Sequence, residues 1–220
     1  MKKGAHDVET YRGRLQDKAK AEHYAKRFEQ GSRKRIDRRE QRAVLKIFAG
    51  LRVCRTVLDV PSGAGRFLGT LARDGRRVIE MDSAFEILEF ARDKAAQAQA
   101  DTSILQGDAS CLPLADDAVD CVFSNRLLHH ILDPAQRQAI LREFHRVCRR
   151  WTVVSFFNYK GLARVRGFLK KLKGRKPPYE KQPTLDQFTA EAAQAGFRVQ
   201  AIVPTGLPWV SQKYFVLEKI

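Results

Sequence analysis

The chain lacks the features that would place it outside a reducing, aqueous compartment. Its four cysteines, at 54, 111, 121 and 148, form no close pair and no zinc spacing. That excludes a disulfide scaffold and suits thiols kept reduced in a core. No apolar stretch follows the lysines of MKKGAHDVET, so a secretory signal is not expected. No run approaches the roughly 20 apolar residues of a membrane span, and the expected location is cytoplasmic. Internal repeats and low-complexity tracts are absent, which leaves one domain with appendages as the reading for 220 residues. Acidic residues are also in short supply, 25 against 41 Lys and Arg.

What is present is a globular composition, 44% hydrophobic and 9% aromatic, with a net charge of +16 that is unevenly spread. Residues 1–55 hold 17 basic against 7 acidic residues, and residues 149–181 hold 11 against 1. The remainder holds 13 against 17. A mildly acidic core thus carries two basic attachments, a pattern that suggests a polyanionic partner.

Residues 14–29 lack Gly and Pro and read as a helix that Gly31 can cap; Ser32 can N-cap a second helix carrying Ile36, Ala43, Val44, Ile47 and Leu51 at helical spacing. Alternation follows. Strand 56–60 leads to helix 65–73, strand 77–81 to helix 84–98, and strand 102–106 to a loop. Strand 119–124 then precedes helix 134–148 and strand 151–157. After a basic stretch at 158–183, read as an insertion, Thr184 caps a helix that Gly196 ends, and strands near 197–203 and 212–218 close the chain. Short apolar strands separated by helices predict an α/β fold with a mostly parallel sheet covered on both faces. Ligands in such sheets bind beyond the carboxyl ends of the strands.

Three acidic residues stand at those ends: Asp59 in VLDVPSGAG, Asp82 in VIEMD and Asp108 in LQGDA. Aspartate is common after strands as a turn residue. Three in successive units, with a small-residue loop after the first, carry more weight. On these residues the sequence resembles the class I S-adenosylmethionine-dependent methyltransferases with small-molecule and lipid acceptors, across residues 56–157 and more loosely to the end. The resemblance implies a Rossmann-like, seven-stranded sheet with an antiparallel last strand. It implies S-adenosyl-L-methionine as cofactor, with the loop Asp59, Ser62, Gly63, Ala64 and Gly65 beside it, Asp82 at the ribose, Asp108 and Ala109 at the adenine, and the stretch from Asn125 to His130 flanking the sulfonium. Tyr11 and Tyr24 of the N-terminal segment, read as an arm or lid over 1–55, are further cofactor candidates, and docking on the core explains such aromatics equally well. Two departures stand out. Pro61 replaces the first loop glycine, and CRRWTVV stands where the family usually shows Lys-Pro-Gly-Gly.

Methyl transfer from a sulfonium is a direct displacement, and a general base is needed only for a poorly nucleophilic hydroxyl or a protonated amine. His129 and His130 follow strand four and are candidates for that base, or pack locally; His145 reads as structural. The absence of Asn-Pro-Pro-Tyr after strand four and of a Pro-Cys pair argues against adenine or glutamine N-methylation and cytosine C5 chemistry.

Residues 161–173, GLARVRGFLKKLK, read as a basic amphipathic helix able to lie on an anionic membrane, or as a lid over the substrate pocket. The expected acceptor is a small molecule, a lipid-linked compound or a saccharide-lipid, which would place the protein near the inner membrane face. The alternatives are an RNA methyltransferase using the basic arms as a clamp, and a cofactor-binding regulator without turnover. RNA binding usually interleaves aromatics with the cations, and SRKRIDRREQR has none. Its Arg35 and Arg39 also resemble the arginine pair of cyclic-dinucleotide receptors, a spacing expected by chance in so basic a run. The sequence leaves the oligomeric state open.

Overall fold

In a computed structural model the structure describes residues 18–28, 31–51, 53–157, 183–206 and 212–220. Tyr11 and the helix read at 161–173 lie outside the described residues. Two helices come first, α1 (Lys18–Lys26) and α2 (Gly31–Gly50). The alternating part follows as β1 (Thr56–Asp59), α3 (Leu68–Leu71), β2 (Arg77–Asp82), α4 (Phe85–Ala98), β3 (Thr102–Gln106), β4 (Val119–Ser124), α5 (Pro134–Val147) and β5 (Cys148–Phe157). After residues 158–182 come α6 (Leu185–Gln194), β6 (Phe197–Pro204) and β7 (Gln212–Lys219). The strands form one sheet in the order β3-β2-β1-β4-β5-β7-β6. Only β7 runs against its neighbours, pairing antiparallel with both β5 and β6.

The expected alternation stands, with local differences. The helix expected over 65–73 shrinks to Leu68–Leu71, because Gly63 (φ +56°) and Gly65 (φ +65°) hold the preceding residues in a loop and a 3₁₀ turn follows at Arg73–Gly75. The strand expected from Trp151 begins at Cys148, since Cys148 already pairs with Val119. Gly31, expected to end the first helix, opens α2 at φ +61°. Asp133 N-caps α5 with Pro134 behind it, and Thr184 with Gln187 forms a capping box on α6.

Two cores sit on the two faces of the sheet. On one, Phe144 of α5 and Phe188 of α6 pack with Leu58, Val122, Phe156 and Phe215. On the other, Val44, Ile47 and Phe48 of α2 join Leu68 and Leu71 of α3 over Val57, Phe123 and Tyr214. A third, small cluster seats Ala21 of α1 against Ala64, Ala84 and Ile87, so α1 docks on α4 and on the loop after β1. This arrangement sets α1 beside the carboxyl rim of the sheet, where Tyr24 and Ala25 reach the loop after β1.

The turn after α6 depends on Gly196, which adopts φ +89° and lies where a Cβ would stand 2.7 Å from His145 Nε2. Gly196→Ala should therefore lower stability by about 2 kcal/mol, read from the urea midpoint at unchanged m-value.

Candidate functional site

A crevice follows the carboxyl rim of the sheet as two cavities that share Pro61 and Asp82. The larger is walled by Tyr24 and Phe28 from the N-terminal helices' side, by Ser62, Gly63 and Ala64 of the loop, and by Asn125 after β4. The smaller is walled by Asp108, Ala109 and Ser110 after β3, with Leu127 and Ile131 opposite. Backbone hydrogen bonds set the floor: the Ser62 amide donates to Met81 O at 2.9 Å and the Val60 amide to Phe123 O at 2.9 Å. The Val60–Pro61 peptide is cis.

Asp82 ties the two cavities together. One carboxylate oxygen accepts from the Gly63 amide at 2.9 Å and the other from the Ala84 amide at 3.1 Å. A carboxylate has about four acceptor sites, more than these two amides use. Asp108 accepts from the amide and the hydroxyl of Ser110, both at 2.8 Å, which fixes the turn that carries Ala109. Asn125 is held from the far strand, its carbonyl oxygen accepting from Tyr214 Oη at 2.9 Å.

Of the residues expected from sequence, Tyr24, Ser62, Gly63, Asp82 and Asn125 meet in the larger cavity, and Asp82, Asp108 and Ala109 in the smaller. Asp59 and Gly65 line neither. Asp59 is buried beneath the loop, and a Cβ on Gly65 would stand 3.2 Å from Ala91 Cα, so Gly65 serves loop-to-helix packing. His129 and His130 line neither cavity; their ring centres lie 3.9 Å apart with the planes tilted by 41°, and the His129 ring centre also lies 4.3 Å from that of Phe157. Burial, then the charges of His130 and Arg126, hold His129 well below the usual imidazole range, so it is neutral at physiological pH.

The sequence reading missed the cations. Arg66, Lys94 and Arg126 line the larger cavity, and a buried carboxylate organises two of them. Glu40 of α2 has no exposure and lies 2.6 Å from Arg66 and 2.5 Å from Arg126. Asp37 takes the other side of Arg66 at 2.8 Å, and Gln212 accepts from Arg126 at 3.2 Å. Phe28 stacks under Arg66, 4.2 Å from the guanidinium carbon to the ring centre. A signal was legible: Glu40 occupies a core position on the apolar face of α2, where an acid needs a cationic partner.

Residues 57–150 match the family described as a methyltransferase domain. Over this segment, under half of the chain, the protein is similar to methyltransferases. Among curated relatives it is 33% identical over 132 residues to the malonyl-[acyl-carrier protein] O-methyltransferase of Hamiltonella defensa, covering 60% of this chain and 46% of that protein. It is 37% identical over 100 residues to the enzyme of that name from Yersinia pestis, covering 46% and 35%. The chain thus spans about half or less of the length of these relatives. In fold it superposes on the magnesium protoporphyrin IX methyltransferase of Synechocystis with bound SAH at a TM-score of 0.76 and 18% identity, covering 97% of this chain and 100% of that one.

The crevice fits an adenosyl cofactor by its own features. Gly63 stands at φ +56° on the wall of the larger cavity, with the space of its missing Cβ 3.6 Å from Tyr24 Cε1 on the opposite wall. Among the described residues no group of three His, Cys, Asp or Glu is placed to hold a metal. Because Arg66 and Arg126 of the cavity wall share Glu40, Glu40→Ala should cost about 3 kcal/mol, the penalty for leaving two partly buried guanidiniums without their shared anion. Denaturant titration measures it, and Glu40→Gln should fall between alanine and wild type.

Proposed function

We propose that the methyltransferase moves a methyl group from S-adenosylmethionine to a small acceptor that enters the crevice already bearing negative charge. The observation that carries this reading is the continuous rim on which Asp82 joins a loop-lined cavity to a second one beside Asp108. Asp82 would accept from the ribose hydroxyls, Asp108 and the Ala109 segment would meet the adenine, and Tyr24 and Asn125 would enclose the amino-acid end. When bound, the cofactor supplies an electrophilic methyl group on a sulfonium.

The chain's own contribution is then alignment and charge. Arg66, Lys94 and Arg126 give the larger cavity a cationic wall, which suits a carboxylate or similar anion; such an acceptor attacks without a general base. That agrees with the position of His129 and His130, which line neither cavity. The relative from Hamiltonella is named for a malonyl acceptor, consistent with this class.

A lipid-linked or saccharide-lipid anion is the finer form of the proposal. α2, which holds Arg66 and Arg126 of the cavity wall through Glu40, turns Arg35, Arg38, Arg39 and Arg42 outward, and residues 161–173 add a second basic stretch of sequence. Together they would bring the mouth of the site to an anionic membrane. Among the described residues no helix is long and apolar enough to cross one.

Asp82→Ala should weaken S-adenosylmethionine binding, measured by calorimetry, roughly 10- to 100-fold, the loss of one or two hydrogen bonds to a charged group; unchanged affinity refutes the site. Vesicles containing anionic lipid should float with the protein at low salt and release it as salt rises. Exclusive retention by RNA in a gel shift at matched salt would favour the clamp reading instead.

A further inference from the structure

The parallel register of β1 and β2 places Asp59 directly beside Glu80, on the sheet face covered by α2, α3 and α4. Paired residues in neighbouring strands point to the same side, so two carboxyl groups lie next to one another. Both are almost wholly buried, at 1% and 0% exposure, and none of their four oxygens has a well-formed hydrogen bond. On the other flank of Asp59 the register partner is Phe123, itself enclosed by Phe67 and Tyr214. The pair sits under the loop whose outer side walls the crevice: a Cβ on Gly65 would stand 3.5 Å from Glu80 Oε2.

Two adjacent carboxylates cannot both be charged in such surroundings without a cation. The charged groups that face them are few. Arg66 draws Asp59 toward ionisation, the Ser62 hydroxyl and then Lys94 of α4 do so for Glu80, and Asp82 opposes both. Arg66 is already shared with Glu40 and Asp37. Tyr214, also near Asp59, is held protonated by burial. Burial, ahead of these charges, lifts Glu80 to about 8 and Asp59 well above the usual carboxyl range.

We infer that Asp59 and Glu80 form a proton-holding pair that makes the crevice selective for the cationic sulfonium donor over its neutral thioether product. The inference rests on the donor reading above. With the crevice empty the pair keeps its proton. A positive charge in the crevice lowers the cost of ionising it, one proton leaves to solvent, and the resulting anion favours the charged ligand. The neutral product lacks that gain and is released more readily. Glu80 and Asp59 act through the field beneath the loop, so they are specificity-determining residues rather than catalytic ones.

The experiment is calorimetry of S-adenosylmethionine and S-adenosylhomocysteine binding between pH 6 and pH 8, in buffers of different ionisation enthalpy, on the full chain and on Glu80→Gln. In wild type the affinity ratio of donor to product should rise about 10-fold across this range relative to Glu80→Gln, with up to one proton released per donor bound. The ligands' own ionisations cancel between the two proteins. Asp59→Asn should behave as Glu80→Gln does and serves if one variant is poorly folded. Unliganded stability is a second readout. A carboxyl whose pKa is raised on folding binds more protons folded than unfolded, so wild-type stability falls as pH rises from about 4.5 to about 8. Glu80→Gln should therefore melt higher than wild type at pH 8 and alike at pH 4.5. A ratio with the same pH dependence in both proteins, or no stabilisation at pH 8, overturns the inference while leaving the donor site intact. Failure of either ligand to bind wild type removes the donor reading and this inference with it.

Discussion

Glu40, fully buried between the guanidiniums of Arg66 and Arg126, is the contact on which the rest of the crevice depends. Arg66 follows the loop after β1, Arg126 follows β4, and Glu40 belongs to a helix more than twenty residues upstream. Removing Glu40 takes the shared anion from two guanidiniums at once, which is costly in a region of low dielectric. The triad therefore fixes three things together: the seat of α2, the direction of the loop after β1, and the cationic wall of the larger cavity. Phe28 and Phe67, each 4.2 Å from the Arg66 guanidinium carbon, complete the enclosure.

Beneath that wall the same physics appears with the opposite sign. Asp59 and Glu80 have no guanidinium of their own, because Arg66 is already committed to Glu40 and Asp37. Their charge is held back by burial instead. In the proposed reading, the cationic wall would meet an anionic acceptor and the acid pair beneath the loop a cationic donor.

Local patterns made most of the fold readable. Strands 102–106 and 119–124 appear with the expected limits, since apolar runs bounded by turn residues leave little freedom. Thr184 was expected as a cap and is one, because capping is settled within four residues. The helix after β1 was overestimated, because two left-handed glycines and the pull of Arg66 toward Glu40 are not visible in residue periodicity. In the site, Asp82, Asp108 and Gly63 were legible from their place after strands. Arg126 was not, though it directly follows Asn125: its role comes from Glu40, 86 positions away.

The sequence alone determined the alternation of strands and helices, the glycine loop, the acidic residues at successive strand ends and the two basic blocks, because each depends on neighbours a few positions apart. Tertiary structure alone decided which of those residues share a cavity. It buried Asp59 beneath the loop and turned Gly65 toward α4. It also set His129 against Phe157 and brought Glu40 to two arginines. Those outcomes follow from strand register and helix docking, which join distant segments and decide which charges lose contact with water.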